Sequence, residues 1–219
     1  MKVFPVHLFN PTTIKARIAM NTISGGVSLS GDEDVIVTDG GGRWEISFSG
    51  IGLDDPSLLR TWDAWLDHLD GGTVCLVPVP SLEIAPRPYL GLHPSDPSDI
   101  VADHPVFPTS VEFAEPYITA QTAGAAGLRA TQLAITVTRG AELSGGEKFS
   151  VGGRLHRVGE NLGGNLWKIA PPTREPIASG AALNFDWPLL QCRMQPGDFS
   201  APVEWGQFAD GQITFVEAF

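Results

Sequence analysis

The sequence predicts an all-β fold, a sandwich or barrel, with one flanking amphipathic α-helix. Three observations carry this. The 219-residue chain holds 25 Gly and 18 Pro, about a fifth of its length where ~12% is average, and these residues punctuate a chain into turns and short strands rather than build helices. Several segments alternate apolar and polar residues with a period of two, as half-buried strands require. One segment alone repeats apolar residues convincingly at helical spacing.

Residues 1–50 read as strands. KVFPVHLF is the first, demoted to an edge or a bulge by Pro5, which lacks the N–H a ladder needs. IKARIAM follows, then the turn-rich ISGGVSLSGDED. VIVTDGGGRWEISFSG reads as a hairpin, with Asp39 and the glycines after it at the turn. In its second arm Trp44, Ile46 and Phe48 alternate with Glu45 and Ser47. The helix is predicted over 55–70. Asp54 or Asp55 can cap it, and Pro56 suits its first position, where the missing N–H has no partner anyway. Leu58, Leu59, Trp62, Trp65, Leu66 and Leu69 gather on one stripe that needs a large apolar partner, most simply a sheet face. Gly71 and Gly72 end it. TVCLVPVPS is a strand running out into Pro-rich chain.

The predicted organisation is therefore a sandwich half over 1–81, a Pro-rich arm or insertion over 82–127, and a β-rich portion over 128–219. The middle stretch has no sustained periodicity, and AQTAGAAGLRA at its end reads as a flexible linker. Strands return in TQLAITVTRG, in EKFSVGGRLHRV around a Gly-Gly turn, and in NLWKIAPPTREPI, which ends in a Pro-Pro stop. ALNFDW, QCRM and QITFVEAF supply the last strands.

Charge and composition exclude several functions. Lys and Arg total 14 against 25 Asp and Glu, a formal charge of −11 with no basic run; such a surface repels phosphate backbones and acidic headgroups. No apolar stretch approaches the ~18 residues of a membrane span, and MKVFPVHLF is too short in apolar residues for a signal peptide, so a soluble protein is expected. Cys75 and Cys192 each sit in an apolar run, where a free thiol behaves as a small buried hydrophobe.

No catalytic, cofactor-binding or metal-binding residue is assigned. The acidic loop HPSDPSDIVADH offers His93, Asp96, Asp99, Asp103 and His104, but it lacks the glycine a calcium loop needs for its sharp turn. Zinc would require three or four converging ligands, which this loop does not guarantee. No G-x-S-x-G elbow is present. The glycine-rich GDEDVIVTDGGG and LSGGEKFSVGG lack phosphate-loop spacing and read as hairpin turns. His68 lies near the helix C-terminus, where a cation gains from the dipole. Of six tryptophans, Trp187 and Trp205 alone fall outside the helix and the alternating strands; they are the residues a carbohydrate- or cell-surface-binding module would use. A metal-assisted hydrolase built on Asp99 and His104 is the weakest alternative.

Two stretches resemble a known family. GGGRWEISFSG through LLRTWDAWLDHLDGGTVCLVPVPS is similar to a strand–helix–Gly-Gly–strand passage of distal-tail and related tail-tip proteins of long-tailed phages, prophages and gene transfer agents. AELSGGEKFSVGGRLHRVGENLGGNLWKIAPPTREPIASGAAL resembles a later pattern of the same family, on Gly140, Leu143, Gly146, Phe149, Val151, Leu155, Val158, Pro171, Pro172, Arg174, Gly180 and Leu183. The resemblance covers about two-thirds of the chain and omits the Pro-rich middle. It implies a sandwich with a flanking helix, assembled as a six-fold ring that joins the tail tube to the baseplate hub. The partners it implies are copies of the chain, tube protein, and hub and tape-measure proteins. The place it implies is the virion tail tip, after synthesis in the bacterial cytoplasm. It carries over no catalytic residue.

Overall fold

A computed structural model describes residues 1–20, 22–27, 29–37, 41–80, 84–86, 118–200 and 209–219. The chain forms two units, one of residues 1–79 with 189–219 and one of residues 80–188. The second is thus inserted in the first, between strands β5 (Val74–Pro78) and β12 (Leu189–Ser200). Those strands pair antiparallel, with Pro78 opposite Leu189 and Cys75 opposite Cys192. The insertion leaves and re-enters at neighbouring backbone positions, where long insertions cost little closure entropy. The expected 128–219 portion differs from this division, because 189–219 pairs with strands far upstream.

The first unit is a five-stranded sheet in the order β1-β4-β13-β12-β5, with β1 at Thr13–Ala19, β4 at Arg43–Leu53 and β13 at Ala209–Glu217. Every neighbouring pair is antiparallel. Alternation along β4 buries Trp44, Ile46 and Phe48, then shifts phase to bury Ile51 and Leu53. Gly50 makes the shift. It sits at φ +67° beside a register break against β13, and one extra residue in a bulge resets which side chains face the core. The predicted helix is present as α2, Pro56–Leu69, after the short α1, Val6–Phe9. The Asp55 side chain accepts from Ser57 N–H at 3.2 Å and Pro56 opens the helix.

Two expectations about this unit are corrected. KVFPVHLF is not a strand. Val3 makes one parallel bridge to Leu76, and Val6–Phe9 then turns into α1. VIV and RWEISF are not the two arms of one hairpin: VIV lies in β3 (Glu33–Val37), which pairs with β2 (Thr22–Val27), whereas β4 pairs with β1 and β13. So ISGGV, expected as turn, is strand. The helix stripe does pack against the sheet, as expected, and has a further partner in the N-terminal segment. Phe9 packs edge-on against Trp62 at 5.1 Å and Phe4 against Trp65 at 5.6 Å, while Phe4 reaches Phe215 at 4.9 Å. Trp62 and Leu69 are buried; Leu58, Leu59, Trp65 and Leu66 are half-buried.

The second unit is a small barrel. Its strands are β6 (Thr119–Thr122), β7 (Gln132–Arg139), β8 (Lys148–Val151), β9 (Arg154–Gly163), β10 (Leu166–Ala170) and β11 (Ala182–Leu183), in the order β11-β6-β7-β10-β9-β8. Asn184, directly after β11, exchanges both backbone bonds with Ser150 of β8 at 2.9 Å and so closes the ring. Phe149, Val158, Trp167, Ile169, Leu183 and Phe185 belong to its core. AQTAGAAGLRA is not a linker. Gln121 and Thr122 lie in β6, Ala126 exchanges backbone bonds with Ile177, and Thr173 Oγ1 donates to the Gly127 carbonyl at 2.6 Å. Small side chains let this loop lie close against its neighbours. The all-β class with one long helix therefore holds for the chain.

Candidate functional site

Two regions carry features beyond packing. The first is an open edge of the five-stranded sheet. At the other edge, β5 is covered by the N-terminal segment: Phe4 N–H donates to Leu76 at 2.8 Å and Leu76 N–H to Lys2 at 2.9 Å. Among the described residues β1 has one strand neighbour, β4. An edge strand offers a row of unpaired donors and acceptors to any incoming chain. The β2–β3 hairpin falls between β1 and β4 in the sequence and pairs as a separate two-stranded ribbon, with Ala19 opposite Arg43 in the sheet and Thr22 opposite Val37 in the hairpin. Val27 and Leu29 are 70% and 112% exposed at its turn end, and Met20 is 55% exposed at its root. A two-stranded ribbon is marginal on its own in water, and these side chains give it an apolar contact surface.

The second is a cavity of about 170 Å³ at one end of the barrel. Strand alternation builds one wall. The β8–β9 turn sets Val151 opposite Arg154 and Phe149 opposite His156. Phe149 and Val158 are core residues, so Arg154, His156 and Val158 form one column that starts at the turn and runs inward. The 171–181 loop supplies the other wall with Arg174, Glu175 and Ile177. Arg154 Nη2 lies 3.2 Å from Glu175 Oε1. His156 is 1% exposed and its Nδ1 is 2.9 Å from the Pro171 carbonyl. Burial pushes the imidazole pKa down to about 4; the Pro171 bond opposes this, and the charges of Arg174 and Arg154 add to it. The ring is therefore neutral near pH 7.

His93, Asp96, Asp99, Asp103, His104 and Trp205 lie outside the described residues, as does most of the Pro-rich arm. Among the described residues no group of three or more metal-binding side chains occurs. Cys75 and Cys192 do meet, as directly opposed, fully buried free thiols. Burial pushes Cys75 up to about 12 and Cys192 well above its ordinary value, which suits packing and not attack. His68 stacks edge-on against Trp65 at 5.6 Å. It borders a shallow groove with Lys2, Arg60 and Thr61. Trp187 is 45% exposed, on a turn held by Asn184 at both its N–H and its carbonyl. Neither the hairpin nor the Arg154–His156 column was singled out. The period-two spacing of Arg154, His156 and Val158 is the signal that could have found the latter.

No described helix is long and apolar enough to cross a membrane. No protein-family model matches the chain, and no curated protein matches it.

Proposed function

We propose that this chain is a structural subunit of a phage-type tail tip, closing with copies of itself into a ring, six-fold by the family resemblance, between the tail tube and the baseplate hub. The observation that supports the reading is the β2–β3 hairpin, a ribbon with exposed Val27 and Leu29 at its turn end, together with an edge strand, β1, that has one strand neighbour among the described residues. Those are two different surfaces on one subunit, as head-to-tail contacts in a closed ring require. A hairpin laid along a neighbour's edge would gain backbone bonds and cover Val27 and Leu29 in one step. Tube, hub and tape-measure proteins are the partners of this reading, and the virion tail tip is its place. No catalytic step belongs to it.

The test is the assembly state of the purified chain, alone and with tube protein, by light scattering and negative-stain imaging. Six-fold rings are expected, and Val27→Asp with Leu29→Asp should abolish them while leaving the fold intact. A second reading, a carbohydrate- or cell-surface-binding module, draws on the half-exposed Trp187. It predicts a monomer or trimer whose sugar binding is lost in Trp187→Ala.

A further inference from the structure

Two buried thiols face each other on the strands that frame the insertion. Cys75 lies on β5 and Cys192 on β12, and residues 80–188 are inserted between those strands. The two are direct antiparallel partners, both free and both fully buried. The hydrogen bonds around them show which kind of pair they form. Leu76 turns its N–H to the Lys2 carbonyl and its own carbonyl to the Phe4 N–H, while the Gln191 carbonyl accepts from Ala218. Backbone groups alternate sides along a strand, so those of Cys75 and Cys192 point at each other. Such a pair holds its Cα atoms about 5.5 Å apart, close to the commonest spacing across a disulfide, ~5.5–6 Å.

Directly opposed side chains also leave a sheet on the same face. The Cys192 thiol is pushed up first by burial and next by Cys75, as adjacent side chains would be. The next pair on this face, Val77 with Leu190, is aliphatic and equally buried, so burial here does not require sulfur.

We propose that Cys75 and Cys192 are a modification site, taking up a cross-strand disulfide by exchange with a small-molecule disulfide. One protein thiolate attacks a sulfur of the small disulfide, forming a mixed disulfide and releasing one small thiolate. The other protein thiolate then attacks the protein sulfur of that mixed disulfide. The Cys75–Cys192 bond forms, the second small thiolate leaves, and the two protons lost by the protein go to the two small thiolates. The protein pair is oxidised and the small disulfide is reduced by the same electron pair. Burial keeps both thiols from reacting in the closed sheet, so exchange passes through release of β5. That strand lies at the sheet border, held on its outer side by its bonds to Lys2 and Phe4. The new bond ties the two ends of the insertion and restrains a long loop in the unfolded chain. The site stands whether or not the chain forms rings.

The test incubates the full chain with excess oxidised glutathione, folded in one arm and refolding from urea in the other. Intact mass, non-reducing gels and thiol counts are read. A single-chain product about 2 Da lighter, with no free thiol, is expected in at least the refolding arm. Digestion should yield a peptide joining Cys75 to Cys192. The oxidised chain should melt several degrees above the reduced one, and dithiothreitol should reverse both changes. Cys75→Ser and Cys192→Ser should each lose the lighter product. The proposal is overturned if both thiols stay free in both arms, or if the product is a double glutathione adduct or a chain-to-chain disulfide. It is overturned equally if the oxidised chain melts below the reduced one, since the sheet would then not accommodate the bond.

Discussion

The two units solve the edge problem of a β-sheet in opposite ways. The barrel closes through Ser150 and Asn184, which removes its edges and leaves the loops at its ends as surface for recognition. Among the described residues the five-stranded sheet has β1 at an edge with one strand neighbour, and β2–β3 is a separate two-stranded ribbon. Closure makes a self-sufficient unit; an open edge makes one suited to joining others. On the proposed function, assembly belongs to the open sheet. Each substitution below should act on one unit and spare the other.

The largest effect is expected from Trp62→Ala. Trp62 is fully buried and packs edge-on against Phe9, so truncation should cost about 3–5 kcal/mol. Denaturant melts followed by fluorescence should show the sheet unit unfolding early. A simultaneous loss of the barrel transition would show that the units do not fold separately.

A slightly smaller effect belongs to the barrel alone and depends on pH. The folded pKa of His156 is about 4, below the ordinary 6.5. Between those values the unfolded chain takes up a proton that the folded chain refuses. Stability is thus fully present above pH 6.5 and falls as pH drops toward 4, by roughly 3 kcal/mol in total. Urea melts across that range should show the slope in wild type and lose it in His156→Gln.

Gly50→Ala should come next, at about 2 kcal/mol. Part is the cost of a side chain in the left-handed region, and part is overlap of the new Cβ with the Thr12 hydroxyl. Adding Thr12→Ala should recover the second part and not the first, which a double-mutant cycle would measure.

How much of this was legible in the sequence follows from the range of each interaction. Helix α2 was readable because its signals are local: Asp55, Pro56 and the stripe from Leu58 to Leu69 lie within one segment. The β8–β9 hairpin was readable for the same reason, through Gly152 and Gly153. The pairing of β12 with β5 and of β13 with β4 was not, because these partners are separated by more than a hundred residues and set by tertiary packing. The β2–β3 hairpin was misassigned because the glycines before Arg43 look like a turn between VIV and RWEISF, whereas β3 pairs backward with β2. AQTAGAAGLRA was misread because small residues suit a flexible linker and a tightly docked loop equally well. Arg154 and Arg174 meet only through the fold, and strand alternation around His156 gave the one hint.

The smallest effect on stability should come from the hairpin turn, and it is the most informative. Val27 and Leu29 are exposed, so changing both to Asp should shift folding stability by less than about 0.5 kcal/mol per site. The decisive measurement compares wild type with the Val27→Asp, Leu29→Asp variant by light scattering and negative-stain imaging, each with and without purified tube and hub proteins. The account predicts rings for wild type and folded monomers for the variant. A wild-type chain that stays monomeric and ignores both partners, or a variant that still forms rings, would contradict it.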